Sequence, residues 1–136
     1  MKVNWKIVVI VFVVLIFAGI YSYRKIEYKR NNGVYTLGEI TSVHLARNGW
    51  KIHVNYRFSR REFSIYTIVF FEGFSPRNIG RRYFVKILPE NPGDGLILVP
   101  GVEVPDSVQL APDNGWSEDW MKEHFPKAVE YVYDTR

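Results

Sequence analysis

The chain begins with a long apolar run. Residues 7–23 contain no charged side chain, and within 7–20 nearly every residue is Val, Ile, Leu or Phe. As a helix, 7–23 would extend roughly 25 Å, slightly less than the ~30 Å hydrocarbon core of a bilayer. The pattern predicts a transmembrane helix over 7–23, preceded by a basic tail at 1–6. The flanking residues suit the two membrane interfaces: Trp5, Lys6, Tyr21, Tyr23, Arg24 and Tyr28.

Two other interpretations of this run are less favoured. A buried core helix is disfavoured because a domain of this size has no place for a helix that is apolar on every side. A cleaved signal peptide would fit the basic Lys2 and Lys6, but residues 17–22 offer no clean pair of small residues at cleavage spacing. The sequence therefore favours an uncleaved single-pass anchor.

The basic residues that flank the run predict its orientation only by a small margin. Two lysines precede it, whereas Arg24, Lys25, Lys29 and Arg30 follow it. Since lysine and arginine accumulate on the cytoplasmic side, the count favours a cytoplasmic C-terminal domain. A short basic head before an apolar run is also typical of an export signal, which argues the other way.

A basic stalk and turn-forming linker at 24–33 leads into a predicted β-domain over 34–136. Residues 50–59 alternate apolar and polar without a fault, as in a strand with one buried face. The second half of 62–71 is apolar on both faces, which predicts a central strand. The fold class is mainly β, a small antiparallel SH3-like or OB-like barrel, since tight turns and no crossover helix join the segments. The predicted strands are 35–45, 50–59, 62–71, 81–88, 95–99 and a short sixth at 107–110.

The tail predicts a short helix over 117–125. Ser117 is a suitable N-cap, and Pro126 ends the helix. Trp116 and Trp120 are four residues apart and would share one face, where they could cover an open end of the barrel. The last residues, with Tyr131 and Tyr133, would add an edge strand or trail free.

The length and composition of the chain are those of one small domain that follows the anchor. The chain has 136 residues, 47% of them hydrophobic, and a net charge of +4. Its pI of 9.3 reflects the flanks of the apolar run, because residues 31–136 hold 12 basic and 13 acidic residues. The basic pI is therefore no evidence for nucleic-acid binding. Cysteine is absent, which excludes disulfides, thiolate metal sites and a cysteine nucleophile.

Charge in the domain is segregated along the chain. Residues 47–86 hold nine basic residues against Glu62 and Glu72, whereas 87–136 hold ten acidic residues against three basic ones. The basic half could meet anionic lipid headgroups or an acidic partner, but compensation between the two halves across the surface is favoured. Aromatic residues, at 16%, are the other enrichment. The candidate contact residues are Arg57, Arg60, Arg61, Arg81, Arg82, Phe74, Trp116 and Trp120.

Catalytic and metal-binding patterns are missing. His44, His53 and His124 fall in different predicted elements without paired spacing, so no metal site is expected, and His53 is interpreted as solvated. The chain has no Gly-x-Ser-x-Gly or His-Glu-x-x-His motif and no phosphate-binding loop. We expect no cofactor, and residues 89–95 are interpreted as a turn.

Residues 80–99, GRRYFVKILPENPGDGLILV, lie downstream of Gly-Glu-Ile-Thr at 38–41 and of the apolar run. Together these segments resemble small bacterial single-pass membrane proteins of unknown function. The positions that carry the resemblance are Gly80, Tyr83, Val85, Pro89, Asn91 and Pro92. It implies an anchored β-domain in the bacterial envelope and transfers no catalytic residue.

These features predict a membrane-anchored, non-enzymatic interaction module in the bacterial inner membrane. Residues 7–23 would meet the bilayer, and the β-domain would bind a protein partner near it. An immunity-type protein that neutralises a toxin, an uncharacterised enzyme and a structural assembly subunit remain alternatives.

Overall fold

In the computed structural model, which describes residues 2–69 and 75–134, the chain begins with one long helix, α1 (Trp5–Asn32). Asn4 caps it by accepting a hydrogen bond from the backbone N–H of Lys6. α1 has 28 residues, so it extends about 42 Å and continues without a break through the predicted stalk. It ends at Gly33, where a Cβ would lie 2.6 Å from the Lys29 carbonyl oxygen and 2.9 Å from that of Ile87. Glycine therefore lets the chain pass directly from helix to sheet.

Five antiparallel strands form a half-barrel sheet in the order β3-β2-β1-β4-β5. Their bounds are β1 Val34–Ala46, β2 Gly49–Phe58, β3 Arg61–Val69, β4 Arg82–Ile87 and β5 Ile97–Val99, with a 3₁₀ turn at Pro76–Asn78. The predicted antiparallel β-domain is confirmed. Among the described residues β3 and β5 do not pair with each other, so the sheet is open where the prediction drew a barrel.

Two strand predictions are wrong. β3 was expected at the centre of the sheet but lies at one edge, while β1 is central. The second half of β3 has apolar residues on both faces, as the sequence indicated. One of these faces is exposed, however, with Tyr66 57% and Ile68 56% accessible. Residues 107–110 form no strand, because the carbonyls of Val108 and Gln109 accept hydrogen bonds from the Arg82 guanidinium instead of from a neighbouring strand.

The two faces of the sheet are covered differently. The apolar face carries fully buried side chains such as Ile40, Ile52 and Val85, enclosed by the curl of the sheet and by residues 88–96. The Tyr56 hydroxyl closes this side by donating a hydrogen bond to the Pro92 carbonyl. The opposite face, called the helix face below, carries a second core in which Tyr35 and Phe84 pack under two C-terminal helices.

These helices are α2 (Glu118–His124) and α3 (Pro126–Asp134). The helix predicted over 117–125 is confirmed, since Ser117 caps α2 by accepting from the Trp120 N–H. The edge strand or free tail expected at Tyr131 and Tyr133 is wrong. Pro126 ends α2 and also starts α3, because its missing N–H costs nothing at a first helical position. The buried side chains of α3 are Ala128, Val129 and Val132.

The end of α1 is fixed to the domain. Lys25 forms an ion pair with Asp94 at 2.8 Å, and the Tyr28 hydroxyl donates a hydrogen bond to Glu90 at 2.7 Å. Lys29 is buried, and its ammonium donates to the Asp94 carbonyl at 2.8 Å. The hydrogen bond from Lys25 lowers the pKa of Asp94, and that from Tyr28 lowers the pKa of Glu90. Residues 25–33 are thus part of the folded domain.

Candidate functional site

A groove of about 750 Å³ opens on the helix face, beside the area that α2 and α3 cover. β1, β2 and β3 form its floor, and residues 109–113 form a wall. The wall is held by the Ser59 N–H, which donates to the Asp113 carbonyl at 2.6 Å, and by the ion pair of Arg60 with Asp113 at 3.1 Å. The side chains of the floor include Glu39, Thr41, His53, Asn55, Arg57, Glu62 and Ser64.

Strand alternation makes this floor polar. The apolar residues of β2 lie on the apolar face, so His53, Asn55 and Arg57 point to the helix face together. β3 runs antiparallel in register, with His53 opposite Tyr66 and Asn55 opposite Ser64. A β-bulge between Ile40 and Ser42 adds one residue to β1 and brings Thr41 to the groove.

His53 is the centre of a hydrogen-bonded network. Its Nδ1 lies 2.9 Å from the Thr41 hydroxyl, and its Nε2 lies 2.5 Å from the Ser64 hydroxyl. Ser64 also donates to the Asn55 side-chain oxygen at 2.6 Å. The imidazole ring stacks on Tyr66, with centroids 4.4 Å apart. His53 was interpreted as a solvated histidine, but here it is half-buried and held on both ring nitrogens.

The network favours binding over nucleophilic catalysis. Ser64 and His53 are in contact, as a nucleophile and base would be, but the Ser64 hydroxyl directs its proton to Asn55. The other side of the imidazole meets the Thr41 hydroxyl, where a catalytic triad would have a carboxylate. The described residues contain no group of three or more potential metal ligands. The groove therefore offers fixed donors and acceptors to a bound molecule.

The predicted contact arginines do not form one patch. Arg57 and Arg82 line the groove, and Arg82 is held by the carbonyls of Val108 and Gln109. Arg60 lies in the β2–β3 turn, and Arg61, the first residue of β3, lies over the Phe63 ring. Arg81 precedes β4 on the exposed surface. Contact of these arginines with lipid headgroups stays a prediction.

The predicted aromatic contacts are also separated. Trp116 is only 8% exposed and packs on Phe84 in the core under α2, with the two centroids 5.9 Å apart. Trp120 stacks on Trp116 at 5.2 Å and on His124 at 4.0 Å, and stays partly accessible. Phe74 lies outside the described residues. Trp116 thus contributes to folding, and Trp120 lies apart from the groove.

Opposite charges compensate at two points between the halves of the domain. Arg60 pairs with Asp113, and Lys86 pairs with Glu118 at 3.3 Å. Among the described residues, no such ion pair is found at the end of the sheet distant from α1. Residues 40–54, 65–69 and 75–81 contain no acidic residue. We call this end the basic lobe; its cations are Arg47, Lys51, Arg77 and Arg81.

The position of the basic lobe follows from the length of β1. β1 has 13 residues, which span roughly 40 Å, and it starts next to the end of α1. The β1–β2 turn with Arg47 is therefore at the far end of the sheet. Residues 80–81 lie beside this part of β1, because the Gly80 N–H donates a hydrogen bond to the Ile40 carbonyl at 2.7 Å. Glu72 belongs to residues 70–74, outside the described part of the chain.

Sequence reasoning missed the residues that the fold brings to the groove from separate segments. Glu39, Thr41, Ser64 and the wall at 109–113 were not singled out. The alternation at 50–59 indicated the polar face of β2, but the bulge in β1 and the folding of 109–113 over that face have no local signal.

Family models, curated proteins and solved structures were all compared with the chain, and none matches it. The resemblance at residues 80–99 therefore stays a prediction, and function has to be argued from the geometry of this chain.

Proposed function

We propose that this protein is a single-pass, membrane-anchored binding module without enzymatic activity, which holds a protein partner near the bilayer. The observation that carries this proposal is the combination of a fully exposed apolar helix with an open polar groove on the domain fixed to its end. A second support is the fixed contact between α1 and residues 86–94, which makes anchor and domain one unit.

Lipid is the environment that the exposed surface of α1 fits. Its most apolar 18-residue window has a mean hydropathy of 2.4, and none of that window is buried in the fold. A core helix of a soluble protein would be mostly buried, so this alternative does not fit. Leaving side chains such as Phe12, Leu15 and Phe17, each more than 60% exposed, in water would be unfavourable.

Retention of the anchor is supported by the packing of its last turns. Cleavage after residue 20 would leave a new amino terminus one turn before Lys25, in a helix whose next residues are docked on the domain. Cleavage beyond Lys25 would remove its ion pair with Asp94, and cleavage beyond residue 30 would also remove Lys29 and the Arg30 carbonyl from their contacts with the domain.

Two features of the chain support a compartment and an orientation. The resemblance at residues 80–99 implies a bacterial inner membrane, and the excess of Lys and Arg after the helix favours a cytoplasmic domain. Fusions of alkaline phosphatase and of a fluorescent protein to the C-terminus test the orientation. We expect fluorescence; strong phosphatase activity would place the domain on the opposite side.

A photocrosslinker at Asn55, in the groove floor, tests the binding function in intact membranes. The matched control is the same crosslinker at Glu130, an exposed residue of α3. We expect a discrete adduct with another protein from Asn55 and none from Glu130. Absence of an adduct at Asn55, or the same adducts at both positions, would contradict a binding role for the groove.

A further inference from the structure

We propose that the free edge of β3 binds an extended, acidic segment of the partner as an additional strand of the sheet, an inference which rests on the proposed function. β3 has a neighbour on one side only among the described residues, so the backbone groups on its other side have no strand partner. An edge with unpaired N–H and C=O groups is a template for another strand.

The β2–β3 turn determines which residues offer these groups. Ser59 and Arg60 form a two-residue turn with φ of 50° and 63°, and Phe58 pairs with Arg61. The pair that closes such a turn exchanges both backbone hydrogen bonds. Odd-numbered residues of β3 therefore bond to β2, and the even-numbered residues direct N–H and C=O to the free edge. The edge-facing residues are Glu62, Ser64, Tyr66 and Ile68.

Beyond its first two residues, Arg61 and Glu62, the edge of β3 lacks the features that normally protect an exposed strand. Proteins block such edges with charged side chains, proline or bulges. Residues 63–69 contain no charge and no proline, and β3 pairs with β2 without a register shift. Tyr66 and Ile68 are more than half exposed on the same strand. The sequence therefore keeps a long, regular and partly apolar edge, which suits β-strand addition.

The charge beside the edge selects an acidic occupant. The Lys51 ammonium lies over the Tyr66 ring, 4.6 Å from its centroid, so its charge reaches from β2 across β3 toward the edge. Among the described residues Lys51 forms no ion pair, and the segments 40–54, 65–69 and 75–81 of the basic lobe contain no acid. A carboxylate opposite Tyr66 on an added strand would thus meet a cation that is paired with no described acidic side chain.

The test uses the full chain in nanodiscs of zwitterionic lipid, with a fluorescent peptide of alternating valine and glutamate as long as β3. Fluorescence anisotropy should detect saturable binding. A peptide with lysine in place of glutamate, and a glutamate peptide N-methylated on alternate residues, should bind at least about tenfold more weakly, because they lose charge complementarity and backbone donors respectively. Equal binding of either control peptide would overturn the proposal.

Two variants test the protein side. Lys51→Glu should weaken binding of the glutamate peptide about tenfold, whereas Lys127→Glu, on the exposed surface of α3, should leave it unchanged. Ile68→Pro removes an edge-facing N–H without removing a bond to β2, and should abolish binding. If Ile68→Pro fails to fold, the N-methylated peptide still decides the question. Equal effects of the two lysine variants, or dimerisation of the full chain through β3, would overturn the proposal.

Failure here is separable from failure of the proposed function. If the crosslinker at Asn55 captures a partner while the glutamate peptide does not bind, the groove is a binding site and the strand-addition mode is wrong. If the crosslinker at Asn55 captures no partner and the glutamate peptide does not bind, both the proposed function and the strand-addition mode are wrong.

Discussion

The Lys86 ammonium lies 3.3 Å from a carboxylate oxygen of Glu118, at the point where α1, β4, α2 and α3 meet. Lys86 is fully buried and also donates to the Arg30 carbonyl at the end of α1. The Tyr133 hydroxyl bonds to the same carbonyl and to Glu118, and the rings of Tyr35 and Tyr133 lie about the ammonium at 5.0 and 5.3 Å. A single buried cation thus connects the proposed anchor to the C-terminal helices.

Removing this cation should destabilise the domain strongly. Burial lowers the pKa of Lys86, while the charge of Glu118 acts to raise it. Lys86→Met removes the charged hydrogen bonds to Glu118 and to the Arg30 carbonyl, and a change of this kind costs about 1.5–3 kcal/mol. Chemical unfolding of the full chain in detergent, followed by near-UV circular dichroism, measures the loss.

Lys122→Met is the matched control, because Lys122 lies 3.9 Å from the same carboxylate but is 57% exposed. It should change the free energy of unfolding by less than about 0.5 kcal/mol. Lys86→Met combined with Glu118→Gln should recover part of the loss. Equal effects of Lys86→Met and Lys122→Met would refute the connecting role of Lys86.

Alkaline pH should destabilise the fold through Tyr56. Burial raises its pKa to about 12, and its hydroxyl donates to the Pro92 carbonyl. Unfolded tyrosine ionises at about pH 10. Because the pKa of Tyr56 is higher in the folded state, its contribution to the free energy of unfolding is complete below about pH 10. This contribution falls by roughly 2–3 kcal/mol as the pH rises to about 12. Tyr133, whose pKa burial and Glu118 also raise to about 12, adds to this loss.

Tyr56→Phe should cost about 1 kcal/mol at neutral pH, since one hydrogen bond is lost, and should flatten the fall in stability above pH 10. Tyr66→Phe is the control, because Tyr66 is 57% exposed. Urea unfolding at a series of pH values gives the profiles. If the free energy of unfolding of Tyr56→Phe falls above pH 10 as steeply as that of the unaltered protein, ionisation of Tyr56 is not the cause of the fall.

Gly38 should tolerate no side chain. An added Cβ would lie 2.6 Å from a Val54 methyl carbon and 2.9 Å from one of Val85, in the core of the apolar face. Gly38→Ala should therefore lower the free energy of unfolding by about 1–3 kcal/mol through overpacking. At Gly101 the nearest atoms, in the Tyr131 ring, are 3.6 Å away. Thermal unfolding should separate a destabilised Gly38→Ala from a nearly unchanged Gly101→Ala.

The β2–β3 turn stores strain that a double substitution should remove. Ser59 and Arg60 both have left-handed φ values, which asparagine and glycine adopt more easily. Ser59→Asn with Arg60→Gly should stabilise the fold by about 1 kcal/mol, although it removes the Arg60–Asp113 ion pair. That pair is 82% and 54% exposed, so Arg60→Ala alone should change little. A double variant less stable than the unaltered protein would show that the ion pair outweighs the strain.

The sequence predicted those elements whose signal is local. The apolar run predicted an N-terminal helix, and Ser117 marked the start of α2. Enrichment in Thr, Val and Ile predicted β1, and alternation predicted β2 and β4, within a few residues. Strand order is not local. The apolar residues of β3 indicated a central strand, but they occupy an edge with Tyr66 and Ile68 exposed. No periodicity distinguishes a buried second face from an exposed one.

The groove was predictable only in part, for a similar reason. The polar side of β2, with His53 and Arg57, followed directly from alternation. Thr41 reaches the groove through a bulge, and Asp113 reaches it through the packing of a segment more than fifty residues away. Trp116 was singled out as an aromatic contact, but burial under α2 explains it without a partner.

The intact mass of the protein recovered from carbonate-washed membranes tests the central claim most directly. The account predicts a membrane pellet that contains the full-length chain of 16.0 kDa, with α1 still attached to its domain. A carbonate-soluble protein that lacks its first twenty or so residues would contradict the anchor, and the proposal of a binding module held at the bilayer would fall with it.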